Sequence, residues 1–310
     1  MIQKRSSRRG FLHKAAMLPA AMAAVSRPGS GFQQELPQVR IGKHSISRLI
    51  MGTNPIYGLS HMSQLIDYEM KAFYTLEQIV ATLLHAQELG INCVQNLQAR
   101  EYQGFREKGG KMLLLSNGEG APSSVAKTAQ TGCIGIHHFG VRTDQIFKQG
   151  KLDSIQPYLK AVRDAGLLVG VGTHMPEVVD AVESKGWDID YYMTSIYQFG
   201  RTRKEYEKNY PPGQITVEAA ETEEFADVYL RSDPPRMFKF IQQTKKPCLA
   251  FKILAAGRRA QKPKQVEQAF KETFANIKPS DAVIVGMYPR YTDQVEDNAD
   301  YVRQFGTKSV

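Results

Sequence analysis

Seven histidines are spread along the chain, and three of them, His137, His138 and His174, stand where short apolar runs end. Alternation along a strand puts His137 on the face of Gly135, and His174 on the face of Gly172 and Gly170. Small residues on that face suit a crowded interior, so His137 and His174 are expected to point into one mouth from neighbouring strands. Lys252 ends a further run, and Glu101 and Tyr102 follow another. These residues could form an acid/base or metal-assisted site for a polar ligand such as a sugar. Neutral imidazoles suit Zn²⁺ or Mn²⁺, but no carboxylate is spaced to complete a ligand set, so a metal is the lesser expectation and no ligating residue is assigned. The plain alternative has both histidines hydrogen-bonded in a polar mouth without catalysis. Lys252 could be a Schiff-base amine, half of an ion pair, or a phosphate contact.

Eight apolar runs are available to position these residues: Arg48–Gly52, Ile91–Gln95, Lys111–Ser116, Cys133–His137, Leu167–Gly172, Asp190–Ser195, Cys248–Lys252 and Ala282–Gly286. Between them, apolar residues three and four apart, such as Ile79, Leu83 and Leu84, predict helices over Thr75–Leu89, Leu152–Ala165, Pro176–Ser184, Pro235–Thr244 and Pro263–Ile277. Eight β–α alternations in about 270 residues favour an α/β fold of the (β/α)8 TIM-barrel kind over an open doubly wound sheet. No Gly-x-Gly-x-x-Gly follows the first run, which also counts against a dinucleotide-binding open sheet. Ahead of the barrel, Val39–Ile46 alternates on either side of Gly42-Lys43 and predicts a β-hairpin.

Barrel chemistry gathers at the C-terminal ends of the strands. Here those ends carry Thr53, Asn54, Gln95, Asn96, Asn117, His137, Thr173, His174, Ser195 and Lys252. The segments after the second and third runs are short, so their helices are expected to be reduced. Two others, from Gly52 to Tyr74 and from Tyr197 to Asp233, are long enough to cover a substrate, or to serve as surface decoration or a partner contact. Tyr191, Tyr192, Tyr197 and Phe199 could offer stacking surfaces to a ring, with half of them turned to the helices by alternation.

The 310 residues carry a formal charge of +9, which invites a nucleic-acid or anionic-membrane reading. Six of the basic residues (Lys4, Arg5, Arg8, Arg9, Lys14 and Arg27) lie in the first 27 positions, which hold no acid, so nine minus six leaves about +3 for the rest. No nucleic acid is therefore expected as a partner. Arg8-Arg9-Gly10-Phe11-Leu12 followed by the small apolar run Ala15 to Val25 resembles a bacterial twin-arginine export signal, too short to span a membrane. A basic amphipathic surface helix is the alternative. The expected organisation is a signal peptide over 1–26, a linker over 27–38 and a barrel over 39–310, in a periplasmic or extracellular protein that meets the export machinery and a small-molecule substrate but makes no stable membrane insertion. Cys93, Cys133 and Cys248 each sit in an apolar run and are expected to be buried small hydrophobes rather than a disulfide plus a reactive thiol.

Several segments, in order, resemble the aldo-keto reductase superfamily. Gly42-Lys-His-Ser-Ile-Ser-Arg-Leu-Ile-Met-Gly-Thr53 is similar to its opening hairpin and first strand. Ala86-Gln-Glu-Leu-Gly-Ile-Asn92, Lys160-Ala-Val-Arg-Asp-Ala-Gly166, Lys252-Ile-Leu-Ala-Ala-Gly257 and Val283-Ile-Val-Gly-Met287 resemble later helices and strands. The resemblance implies an exported oxidoreductase using NADP(H) on a carbonyl or sugar substrate, in which a Tyr donates a proton while Asp and Lys tune it. It places Gln95 at the Asp position, Asn117 at the Lys position, His137 at the catalytic His and Tyr102 at the Tyr, two residues later than usual. With Lys252 these make the catalytic set. Thr173, His174, Ser195, Arg290 and Asn298 make the cofactor-binding set, with Arg290 facing a phosphate or remaining an ordinary surface charge. Losing both Asp and Lys leaves a phenol near its reference pKa of ~10, a poor proton donor at neutral pH. The active site implied is thus degenerate. The alternative is a barrel that has left redox chemistry and performs isomerase- or lyase-like acid/base chemistry on a carbohydrate-like ligand, or only binds it.

Overall fold

The hairpin forms where alternation predicts it: β1 (Gln38–Ile41) pairs antiparallel with β2 (His44–Ser47), and Val39, Ile41 and Ile46 turn inward. In this computed structural model the described residues are 35–202, 205, 224–225 and 228–307. The expected export signal over 1–26 and most of the expected linker lie outside them. The last residues of that linker segment pack on the barrel floor: Leu36 is buried, and the Pro37 carbonyl accepts the Arg48 amide at 2.7 Å.

Eight parallel strands close a barrel: β3 (Leu49–Gly52), β4 (Cys93–Gln95), β5 (Leu113–Gly118), β6 (Gly135–His138), β7 (Leu168–Thr173), β8 (Tyr191–Ser195), β11 (Cys248–Phe251) and β12 (Ala282–Gly286). The ring closes where β12 pairs with β3, Gly286 opposite Gly52. Two-residue strands β9 (Arg201–Thr202) and β10 (Glu224–Phe225) form a separate small ribbon in the segment after β8, most of which lies outside the described residues.

Helices alternate with the strands as the periodicity predicts. They are α1 (Gln64–Phe73), α2 (Leu76–Glu88), α3 (Ala99–Glu107), α4 (Val125–Ala129), α5 (Gly140–Lys148), α6 (Gln156–Asp164), α7 (Pro176–Ser184), α8 (Asp233–Gln243), α9 (Pro263–Asn276) and α10 (Gln294–Phe305). Thr75 caps α2, its hydroxyl accepting the Gln78 amide, while Asp293 caps α10 by accepting the amides of Val295 and Glu296. Of the helices after the second and third barrel strands, α4 is reduced to five residues, while α3 has nine, as many as α5, α6 and α7. Among the described residues no helix is long and apolar enough to cross a membrane. All three cysteines are free and buried, and burial pushes each thiol pKa up.

The floor is pinned by Arg48, which is buried. Its guanidinium donates to the carbonyls of Asp281 (2.8 Å), Gly306 (2.6 Å) and Lys278 (2.8 Å), and lies 4.8 Å from the Phe274 ring centre. Burial holds its pKa down at about 10, against an opposing pull from Asp281. Arg48→Met should strand three carbonyls and cost about 3 kcal/mol of unfolding free energy in a denaturant titration. A loss under about 1 kcal/mol would contradict this role.

Candidate active site

The barrel interior explains why the histidines sit beside glycines. A Cβ added at Gly170 would lie 2.4 Å from the Tyr191 ring and 2.7 Å from the His137 Cβ, so only glycine lets both side chains enter that layer. Above them the strand ends open into a cavity of about 500 Å³. Gln95, Asn117, His137, His174 and Lys252 all line it, together with Phe199, Phe251 and residues of the segment after β3. Leu59, Ser60, His61 and Met62 of the long segment after β3 line the same cavity.

His174 is the most firmly oriented side chain of the group. Its Nδ1 lies 2.8 Å from Asp144 Oδ2, and its backbone amide donates to the same carboxylate at 3.0 Å. The Thr173 hydroxyl donates to the other carboxylate oxygen. Asp144 stands on the inner face of α5 beside Gly140 and Thr143 and is itself buried. With Nδ1 committed to Asp144, the ring nitrogen left for a ligand is Nε2. The imidazole is packed between Phe199 and Phe251, each 5.2 Å away centre to centre. Lys252 Nζ lies 5.2 Å from the centre of the same Phe199 ring and 3.2 Å from the Tyr229 hydroxyl. Lys252 and Asn96 both hold left-handed backbones, at φ 60° and 62°, a strained choice for a lysine.

His137 forms part of the cavity floor. Its Nδ1 is 3.3 Å from the Tyr191 hydroxyl, and its buried Nε2 has no hydrogen-bond partner. Burial, with the neighbouring His138 adding to it, pushes the His137 pKa down to about 3, so the ring is neutral at ordinary pH. His138 turns away from the barrel to Thr143, at 2.8 Å, and burial followed by Arg142 takes it down to about 4. Both values fall below the ordinary 6.5, so as pH drops the unfolded chain takes up protons first. The stability these rings contribute is whole above about pH 6.5 and is lost as pH falls toward 4 and 3. The Tm should be flat near pH 7 to 8 and fall by roughly 5–10 °C toward pH 4, with a shallower fall in His137→Gln. An unchanged pH slope in that variant would contradict the assignment.

The sequence-derived catalytic set is brought together only in part. Gln95 Nε2 donates to Asn117 Oδ1 at 2.8 Å, so those two positions do face each other in the mouth. Tyr102 does not join them. It lies on the core face of α3, and its hydroxyl donates to the Met112 carbonyl at 2.9 Å. Glu101 is outside the cavity lining as well. Of the cofactor-binding set only His174 lines the cavity. Thr173 is spent on Asp144, Ser195 donates to the Tyr197 carbonyl at 2.6 Å, Arg290 pairs with Glu69 at 3.2 Å, and Asn298 is buried on α10. These residues do not fit the expected nicotinamide contacts. Nor do they fit Zn²⁺ or Mn²⁺: among the described residues no three His, Cys, Asp or Glu side chains gather to hold a metal ion, and the one carboxylate near His174 is taken up by it and by Thr173.

Of the aromatic residues on and just after the sixth barrel strand, Phe199 reaches the cavity. Tyr191 is buried below it against His137, Tyr192 turns out to Glu183 on α7, and Tyr197 packs on Tyr229.

No family model matches the chain, and no curated protein does. Solved structures resemble it at the level of the barrel. One is a glycerol dehydrogenase from Gluconobacter oxydans, an aldo-keto reductase (13% identity, TM-score 0.45, covering 88% of this chain and 97% of that one). Another is a truncated 3-deoxy-D-arabino-heptulosonate 7-phosphate synthase from Thermotoga maritima (13%, 0.46, 87% and 90%). A third is an N-acetylmannosamine-6-phosphate 2-epimerase from Clostridium perfringens (12%, 0.42, 77% and 85%). Similarity this remote carries nothing about the reaction.

Proposed function

We propose that the barrel mouth is an acid–base active site that moves a proton next to a carbonyl group of a small molecule, without a redox cofactor. The observation that carries this reading is the His174–Asp144 pair: a cavity-lining imidazole whose Nδ1 is held at 2.8 Å by a buried carboxylate. That arrangement fixes the tautomer with a lone pair on Nε2 and steadies the imidazolium once formed. His174 Nε2 removes the proton from the carbon beside the carbonyl. The C–H electron pair becomes the C=C bond of an enolate, and the carbonyl π electrons pass to oxygen. Lys252 Nζ donates a hydrogen bond to that oxygen, and His137 Nε2, buried and unpartnered, is a second polar contact for the bound head group. Gln95 and Asn117 supply amide groups for neighbouring oxygens. Returning the proton to the same carbon completes an exchange. Where that carbon also carries a hydroxyl, passing the hydroxyl proton to the first oxygen gives the isomeric enediolate, and protonating the former carbonyl carbon while the second oxygen becomes the carbonyl completes an isomerisation.

The test is incubation in D2O with dihydroxyacetone, pyruvate and phenylpyruvate, following loss of the proton signal next to the carbonyl by NMR. Catalysed exchange in at least one, without added nicotinamide, is expected; none in any would overturn the proposal. The resemblance-based redox reading retains one supporting observation, the Gln95–Asn117 contact. Gln95→Asp with Asn117→Lys separates the two readings. With Tyr102 outside the cavity, the double variant should gain no NADPH-dependent carbonyl reduction, and a clear gain would favour the reductase. Export through a twin-arginine route to the periplasm stays a proposal supported by Arg8-Arg9-Gly10-Phe11-Leu12 and the small apolar run after it.

A further inference from the structure

The cavity is graded from floor to rim. Among its described lining residues there is no Asp or Glu, and Lys252 is the one side chain with a permanent charge. Gln95, Asn117, His137 and His174 sit with it around the strand ends. At the opening stand Leu59, Met62 and Phe139, which are 52%, 46% and 39% exposed and yet line the same cavity. Single exposed apolar residues are ordinary on a protein surface; three converging on one opening are not. Met62 is seated deliberately: a Cβ at Gly257, whose φ is 87°, would come within 2.6 Å of its sulfur. The adjoining His61 carbonyl accepts a hydrogen bond from Arg258 at 3.1 Å, tying this stretch to the loop after β11.

We infer that the substrate is amphiphilic, with a carbonyl-bearing anionic head directed to Lys252 and His174 and an apolar body, such as an aromatic ring or branched hydrocarbon, lying between Leu59, Met62 and Phe139. A polyhydroxylated sugar would leave its hydroxyls against that rim without partners, which disfavours it. A cavity of about 500 Å³ holds a ligand of this size. The orientation of the head rests on the acid–base reading; the apolar subsite does not.

Dissociation constants from ligand-observed NMR titrations of the whole protein test it, with phenylpyruvate, pyruvate and glucose as probes. Phenylpyruvate should bind about tenfold or more tightly than pyruvate, with glucose weakest. Leu59→Asn and Met62→Gln, both at exposed positions, should each weaken phenylpyruvate about fivefold and leave pyruvate unchanged. Equal binding of phenylpyruvate and pyruvate, tighter binding of glucose, no phenylpyruvate binding, or unchanged variants would each overturn the inference. Phenylpyruvate binding with no deuterium exchange in any of the three carbonyl probes would remove the acid–base reading and leave the apolar subsite standing. Exchange confined to pyruvate and dihydroxyacetone would do the reverse.

Discussion

His174→Ala is expected to slow deuterium exchange next to the substrate carbonyl about 1,000-fold, while the protein keeps its fold and its affinity for the apolar part of the ligand. The size follows from the role: His174 is the cavity imidazole whose Nδ1 is held by a buried carboxylate, whereas His61, which also lines the cavity, sets its ring edge-on to Phe199 at 5.8 Å. His137 cannot stand in, because it lies deeper and burial holds it well below the usual imidazole range. Asp144→Asn should cost about 100-fold by a different route. The amide presents N–H as readily as oxygen to Nδ1, so the ring loses both its fixed tautomer and the charge that steadies it when protonated. Asp144 also accepts from the Thr173 hydroxyl and the His174 amide, so this variant should lose thermal stability in addition. His174→Ala tests the base alone, and the pair of variants separates chemistry from scaffold. Equal exchange rates in wild type and His174→Ala would remove His174 from the reaction.

Lys252→Met should lower kcat about 100-fold with a smaller effect on KM. Methionine keeps most of the apolar stem while removing the donor that meets the developing oxyanion. The ground-state carbonyl is polar but uncharged and gains less from Nζ than the enolate does, so the loss falls on the chemical step. The left-handed backbone at Lys252 supports this placement: a strained φ at a lysine is kept only where its surroundings over-determine it. Lys252→Arg should recover part of the rate, as its fork cannot reproduce a point donor beside Phe199. A KM increase with kcat intact would instead make Lys252 a binding residue, and unchanged kinetics would remove it from the site.

The barrel was legible because eight short, mostly apolar runs recur with helical periods between most of them, which leaves few other folds. Strand starts were less so. Ile91 and Asn92 belong to an apolar run, yet β4 begins at Cys93 because the Asn92 side chain turns to the hairpin, accepting the Ser47 amide at 2.7 Å. His137 and His174 could be placed in the mouth from alternation with glycines, and Gly170 gives the physical ground for it. Asp144 was missed. It lies 30 residues from His174 and on a helix, so no spacing pattern links them. Its available signal was a carboxylate on the face of α5 that also carries Gly140 and Thr143, a face too small and polar for an ordinary core. Tyr102 was misplaced for a reason also visible in the sequence: it stands three residues before Phe105, which is core spacing on a helix, and both are buried there. Thr173 and Ser195 sit at strand ends as expected, but short hydroxyls bond locally, and theirs are used on Asp144 and the Tyr197 carbonyl.

The most direct measurement of the central claim is deuterium incorporation into dihydroxyacetone, pyruvate and phenylpyruvate in D2O, followed by NMR with wild type and His174→Ala side by side and no nicotinamide present. The His174–Asp144 account predicts rapid incorporation into at least one of them by wild type, down by about three orders of magnitude in the variant. Incorporation that is absent from all three with wild type, equal in both proteins, or dependent on added NADPH would contradict it.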